Sequence, residues 1–442
     1  MRRLSDWYQA AVPLLRQLGG WLRRDHRWAL AALYAAWIYY ASFATHRVIA
    51  EPATSWMRIY SYRDFGSWTS ILEYLRDLRT GIPPALSAVE LISFKLSGSI
   101  AWIIKGLYRK SMILMLLLPA LLVPFRWRTA LPVLGAAAIL LEGILLVYAN
   151  GNAQIYDVML PAFVLMFFAL HRGSLGAARP WLGGALALLA GFFLAMAELA
   201  RPFMLAMLPL LLLYAGREYA LRRQWKRLIW LLLPVLLISG GWHLKLLLRQ
   251  DGQILWSNHG GSNLFRAWMP LVDQERVRPL LEPEAPPLND FGWAWPNLNT
   301  EVHTRNSALL GRAVREGVAA HPREAIAMLW DKALIFMHPQ TKLYDHDPQG
   351  PWISAYRLLV RGLFGVLAIM LLRALLRAIR RPASILELET MAAGLTLFLT
   401  LMPVIGEAGE EARFLVSVLP MLLLTAAMGA EAAAQGVQQR RK

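Results

Sequence analysis

The chain has 442 residues, 57% of them hydrophobic, and a formal net charge of +17. So large an apolar share excludes a single soluble core, and the absence of cysteine excludes disulfides and thiol chemistry. The basic residues lie in short links between apolar stretches, with no basic and aromatic groove motif, so no nucleic-acid partner is expected.

Residues 1–27 have no long apolar run and read as a cytoplasmic amphipathic tail, with Trp7, Leu14, Leu15 and Leu18 set against Arg16, Arg23 and Arg24. Ten stretches of roughly membrane-spanning length then follow: Trp28–Ile49, Leu107–Phe125, Leu131–Tyr148, Val158–Leu170, Pro180–Leu199, Pro202–Tyr214, Lys226–Leu247, Trp352–Leu372, Ile385–Val404 and Phe414–Glu431. The links that hold Arg126 and Arg128, Arg172 and Arg179, Arg217 to Arg227, and Arg373 to Arg381 are cytoplasmic by the positive-inside rule, as are both termini. The opposite face receives Asp64, Asp157, Glu198, Glu407, Glu410, Glu411 and the hydrophilic block Arg249–Pro351. The expected fold is an all-α polytopic membrane protein with about ten transmembrane helices. Its parts are a membrane region 28–248 with a first outer loop at 50–106, an outer domain at 249–351, C-terminal spans at 352–432 and a cytoplasmic tail at 433–442.

In the first outer loop, Trp68, Ile71, Leu72, Leu75 and Leu78 recur at helical spacing, and Gly81 with Pro83–Pro84 stops that helix. Pro84–Gly106 is apolar enough to cross, but crossing would carry Arg126 and Arg128 outside. A second amphipathic surface helix is therefore expected there. The outer block reads as loop-like in its first half, around Gly260–Gly261, Pro279, Pro283, Pro286–Pro287 and Phe291–Trp295. Its second half, Thr304–Met337, is helical in pattern with a break at His321–Pro322. The block is large enough for a small, mainly helical domain. Its histidines, His259, His303, His321, His338 and His346, match no zinc spacing, and Asp345-His346-Asp347 is a single tripeptide too short to define a metal site.

The carboxylates of the outer face are the candidates for chemistry. Asp64 precedes a helix start, where the helix dipole keeps a carboxylate ionised; it can accept a proton or hold a cation, or else cap the helix or pair with Arg58 or Arg63. Asp157 closes a short loop on the same face and either joins Asp64 or caps the following span. Glu198 and Arg201 flank a tight turn, where they pair with each other, meet lipid head groups or serve the site. Arg413 breaks the positive-inside pattern beside Glu410 and Glu411, as an arginine does when it grips a phosphate or when the acids tether it.

The order of these features resembles the first outer loop of the GT-C superfamily of glycosyltransferases, in the branch of protein O-mannosyltransferases and the lipid A aminoarabinose transferase. The resemblance runs through a span, an early Asp64, an amphipathic helix, Gly81-Ile82-Pro83-Pro84, and a second helix ending at Leu96-Ser97-Gly98. Phe65, Ala85 and Ser97 stand where that branch carries Glu, Leu and Phe. Further on, Ala200-Arg201-Pro202, the stretch Ser257 to Leu264, and Glu410-Glu411-Ala412-Arg413-Phe414 are similar to later family segments. The resemblance implies an inverting sugar transfer at the periplasmic face of a bacterial inner membrane, from a polyprenyl-phosphate-linked donor to a lipid, glycan or protein hydroxyl. A divalent cation, Mg2+ or Mn2+, often assists in the family. It further implies that Asp64 is base or metal ligand and Asp157 its partner, and that Arg413, Arg201, Lys245 and Arg249 face the phosphate. An O-antigen ligase or polymerase uses similar donors but leans on Arg and His in a large outer loop. A lipid-linked-glycan flippase or transporter would carry inverted repeats and helices broken at mid-membrane, and the sequence offers neither.

Overall fold

A computed structural model describes residues 84–97, 101–122, 135–141, 155–249, 259–283, 300–337, 351–406 and 411–439, with isolated positions elsewhere. The N-terminal tail, the Trp28–Ile49 span, most of the Leu131–Tyr148 span and most of the first outer loop lie outside the described residues. Every regular element among those described is helical: α1 (Pro84–Ser97), α2 (Ala101–Leu122), α3 (Ile155–Gly176), α4 (Pro180–Ala200), α5 (Leu208–Leu221), α6 (Trp225–Pro234), α7 (Gly241–Arg249), α8 (Gly260–Trp268), α9 (Gln274–Val277), α10 (Glu301–Ala320), α11 (Pro322–Met337), α12 (Pro351–Arg380), α13 (Leu388–Gly406) and α14 (Glu411–Gln439). A π-helical segment, Val235–Gly240, joins α6 to α7 without a non-helical residue.

Among the described residues, six helices are long and apolar enough to cross a membrane: Asp157–Gly176, Pro180–Ala200, Trp225–Leu248, Ser354–Arg380, Leu388–Gly406 and Phe414–Ala433. The chain is thus a polytopic helical membrane protein, with six of the ten expected stretches in that form. The Leu107–Phe125 stretch falls in α2, whose apolar part is the shorter Lys110–Pro119. Pro202–Tyr214 is not one α-helix, because Pro202–Ala206 forms a 3-10 turn ahead of α5. At about 2.0 Å per 3-10 residue and 1.5 Å per α residue, the two together reach roughly 31 Å, near a bilayer's hydrocarbon thickness.

The expected surface helix forms only as far as Ser97. Residues 101–106 belong to α2 and lead into its apolar part, which corrects the boundary drawn at Gly106. α1 packs against α2 and α4 through buried Ala85 and Leu91, while Lys95 and Leu96 stay exposed.

The helices sort into a centre and a rim. In the apolar stretches of α14 and α3, 78% and 72% of the residues are buried, against 22% in α12 and 33% in Trp225–Leu248. The rim helices expose aliphatic rows, including Leu233, Leu236 and Leu237 on one and Leu358, Ile369, Leu372 and Leu376 on the other. Such rows would be costly in water, but in hydrocarbon they meet their own kind. Gly191 sets the closest approach at the rim: a Cβ there would stand 2.0 Å from the Leu231 carbonyl oxygen, so only glycine lets α4 and α6 meet.

Charge sorts the bundle lengthwise. At one end Arg172 donates to the Leu122 carbonyl at 2.7 Å, and Arg227 donates to the carbonyls of Ser174 and Ala177. Tyr219 bonds Ser174 at 3.1 Å, and Arg217 reaches the Leu386 carbonyl at 3.3 Å. The basic links α3–α4, α5–α6 and α12–α13 therefore share one end, as the positive-inside reading requires. The chain from Arg201 to Tyr219 passes from the α3 residue Asp157 to the α3 residue Ser174, and so runs from one end to the other.

The outer block departs from its expected loop-like first half. Gly260–Gly261 opens a helix, and its small size serves packing: a Cβ on Gly261 would collide with the Ser307 backbone, and Gly311 faces the Gly261 Cα. The Ser307 hydroxyl accepts from the amides of Gly261 and Ser262, capping α8 from α10. α10 is capped by Thr300, whose hydroxyl accepts from the His303 amide at 3.1 Å. It ends at His321, as expected, because Pro322 bars a helical conformation to the residue before it. Ala267, Trp268, Val272, Val277, Val314 and Ala325 form a small core. The block is seated on the bundle by Phe336, buried in the main core, and by the Trp268 indole, which donates to the Ile405 carbonyl at 2.7 Å.

Single cysteines placed at the exposed positions Ala178 and Glu275 are expected to label from opposite sides of the membrane, and labelling from the same side contradicts the lengthwise sorting. Gly191→Ala is expected to lower the unfolding midpoint in detergent, with an overpacking cost of about 1–3 kcal/mol. Gly216→Ala, where an added Cβ meets nothing, is the control and leaves the midpoint unchanged or raises it; equal behaviour of the two variants would remove the packing argument.

Candidate functional site

The end opposite the basic links gathers the buried charges. Asp157, in the first turn of α3, is fully buried, and its Oδ1 accepts from Arg201 Nη2 at 2.5 Å. Arg201 terminates α4 in extended backbone, which turns its side chain back across the bundle toward α3. Its guanidinium also lies over the Phe414 ring, 4.8 Å from the centroid, and Ser417 donates to the Asp157 carbonyl at 2.9 Å. α3, α4 and α14 thereby meet at one point. A buried carboxylate in so dry a place requires a cation beside it, and a charge-assisted hydrogen bond is the strong form of that partnership.

One turn before Arg201, Glu198 is 2% exposed. It does not pair with Arg201, as the turn geometry had offered. Its Oε1 instead meets His243 Nε2 of α7 at 2.8 Å, while its Oε2 is buried with no hydrogen-bond partner among the described residues. A buried, unpaired carboxylate oxygen costs free energy, so it marks a place where a donor can be received. Lys245, two residues beyond His243, lays its ammonium over the Trp242 ring at 4.2 Å.

The expected site residues are thus partly assembled. Asp157, Arg201 and Glu198 come together, with Lys245 on the helix that supplies His243. Arg413 and Glu411 lie at the start of α14, next to Phe414, but their side chains are outside the described residues, as is that of Arg249. Asp64, Arg58, Arg63 and Glu410 also lie outside them. His243 and Ser417 were missed by sequence reasoning. A signal for His243 existed: like Glu198, it is a polar residue near the outer end of an otherwise apolar run.

Of the two carboxylates expected to hold a divalent cation, Asp64 lies outside the described residues. No group of three or more His, Cys, Asp or Glu able to hold an ion occurs among them. Asp157, offered as a ligand, is already neutralised by Arg201. His259 and His303 of the outer block, 3.1 Å apart, form a closed chain instead of a ligand pair. Arg266 can only donate to His259 Nε2 at 2.9 Å, so Nδ1 carries the proton given to His303. Burial first, then the Arg266 charge and His303, push the His259 pKa down to about 3 and keep it neutral.

No protein-family model, curated protein or solved structure matches the chain. Fold and site together define a helical membrane protein that buries a carboxylate–guanidinium pair and a carboxylate–imidazole pair at the end away from its basic links.

His243→Ala is expected to strand both Glu198 oxygens and cost about 1–3 kcal/mol, the usual scale for a buried polar group left unpaired. Thermal unfolding in detergent reads this, and an unchanged midpoint would mean that Glu198 finds its partner elsewhere.

Proposed function

We propose that the protein is an integral-membrane GT-C-type glycosyltransferase that moves a sugar from a polyprenyl-phosphate-linked donor to an acceptor hydroxyl at the outer face. In this reading the membrane is a bacterial inner membrane and the site faces the periplasm. The observation that carries the proposal is the buried cluster of Asp157, Arg201, Glu198 and His243, with one Glu198 oxygen still open. It lies at the carboxylate-rich end, where a donor anchored in the bilayer would present its phosphate at the depth of the span ends.

The chemistry sets what is needed. The acceptor oxygen attacks the anomeric carbon and the bond from that carbon to the phosphate oxygen breaks. The electron pair leaves on the polyprenyl phosphate, and the acceptor proton passes to a carboxylate. Charge grows on the leaving phosphate, so fixed cations beside it lower the barrier. Arg201, held in place by Asp157 and Phe414, is such a cation, with Arg413, Lys245 and Arg249 as further candidates. Asp64 remains the proposed base. Asp157 is recast from its partner to the residue that holds Arg201, and Glu198 takes the supporting role, orienting a hydroxyl with its open oxygen. No step is assigned to a metal ion.

The test is turnover of a polyprenyl-phosphate sugar by protein reconstituted in vesicles. Asp64→Asn is expected to lower turnover at least about a hundredfold, the scale of a lost positioned base, with folding intact. Glu198→Gln is expected to lower it less and to raise the acceptor concentration needed. No transfer from any such donor by the folded protein, or full turnover in Asp64→Asn, contradicts the reading.

A further inference from the structure

A groove of about 830 Å³ opens at the basic end of the bundle, far from the carboxylates, between the start of α4 and the start of α6. Its rim carries Arg223 and Lys226, both exposed, and its walls are Trp181, Trp225 and Trp230, which are 66%, 57% and 48% exposed. Gly184 lines it, and Gly183 lies next to it in α4. A Cβ on Gly183 would stand 2.4 Å from the Arg227 guanidinium, and one on Gly184 would stand 3.2 Å from the Trp230 indole. Their small size lets a charged and an aromatic side chain lie down in the groove.

Arg227 is fixed there by the carbonyls of Ser174 and Ala177, which orient it without cancelling its charge. Among the described residues, no ion pair neutralises Arg223, Lys226 or Arg227. Deeper along α6, exposed Ile229 and Leu233 lead to Leu236 and Leu237 of the π segment. Trp181 and Trp225 stand level with the cations and Trp230 about a turn deeper, so the order from the bundle's end inward is cations and indoles, then bare aliphatic side chains. A phospholipid has the same order: phosphate with glycerol and esters, then acyl chains. Indoles favour the interfacial layer, and basic recesses between spans on the cytoplasmic side suit anionic head groups. The volume is that of a ligand site.

We propose that this groove holds one anionic phospholipid of the cytoplasmic leaflet, with its phosphate against Arg223, Lys226 and Arg227 and its acyl chains running past Trp230 onto α6. The inference needs the inward orientation of the basic links and is independent of sugar transfer, so either can fail alone.

The experiment is native mass spectrometry of the full, delipidated protein in a neutral detergent. It is titrated with phosphatidylglycerol or with phosphatidylcholine of the same acyl chains. One saturable phosphatidylglycerol adduct is expected, at least tenfold tighter than phosphatidylcholine. The pair Arg223→Asn with Lys226→Gln is expected to weaken phosphatidylglycerol about tenfold without altering the unfolding midpoint. Asparagine is chosen because Arg223 has φ 55°, in the left-handed region that Asn tolerates. Trp230→Ala is expected to weaken both lipids. Lys226→Glu alone gives a second reading of charge if the pair folds poorly. Equal binding of the two lipids, phosphatidylglycerol binding undiminished in both charge variants, or displacement of the lipid by millimolar inorganic phosphate would each overturn the proposal.

Discussion

The Asp157–Arg201 ion pair is the interaction on which the outer end of the bundle depends. A carboxylate that is fully buried among span ends has two ways to persist: lose its charge or acquire a cation. The chain takes the second way, and it does so across 44 residues, tying the first turn of α3 to the last of α4. The same guanidinium covers Phe414 while Ser417 bonds the Asp157 carbonyl, so α14 is registered against α3 by the same few atoms. Glu198 and His243 then add α7 to the assembly. These polar contacts add to the close packing that holds helices together in hydrocarbon.

The basic end is built by another rule. Its arginines reach main-chain carbonyls at helix ends: Leu122 for Arg172, Ser174 and Ala177 for Arg227, Leu386 for Arg217. Terminal carbonyls are orphaned acceptors at the negative pole of a helix dipole. Arg172 and Arg227 satisfy them and form no ion pair among the described residues, whereas Arg217 also pairs with Glu218 and Arg377 with Glu389. Among the described residues, the carboxylate end pairs Asp157 with Arg201 and Glu198 with His243, and keeps one open oxygen at Glu198. The two ends are therefore suited to different encounters: one is proposed to hold an anionic lipid, and the other to receive a substrate.

Much of this was legible in the sequence because it follows from hydropathy and charge counting. The apolar stretches that became α3, α4, α12, α13 and α14 and the common end of the arginine links needed only local composition. The break at His321 followed from Pro322. The partner choices were not legible. Glu198 and Arg201 are three residues apart and read as a pair, yet the extended backbone at Arg201 sends one side chain to α3 while the other faces α7. His243 was hidden because its meaning lies in Glu198, 45 residues away. Gly260–Gly261 reads as loop-like because glycine serves both turns and close approach, and only the neighbouring α10 distinguishes them. The 3-10 turn at Pro202–Ala206 likewise divides an apolar run whose hydropathy is uniform.

A double-mutant cycle between Asp157→Asn and Arg201→Gln, read by equilibrium unfolding in mixed micelles, tests the central claim most directly. If the pair organises the outer end, each single change leaves a buried charge alone and costs about 3–5 kcal/mol. The double change then costs well under their sum, with a coupling above about 1 kcal/mol. Additive effects, with no coupling between the two positions, would contradict the account.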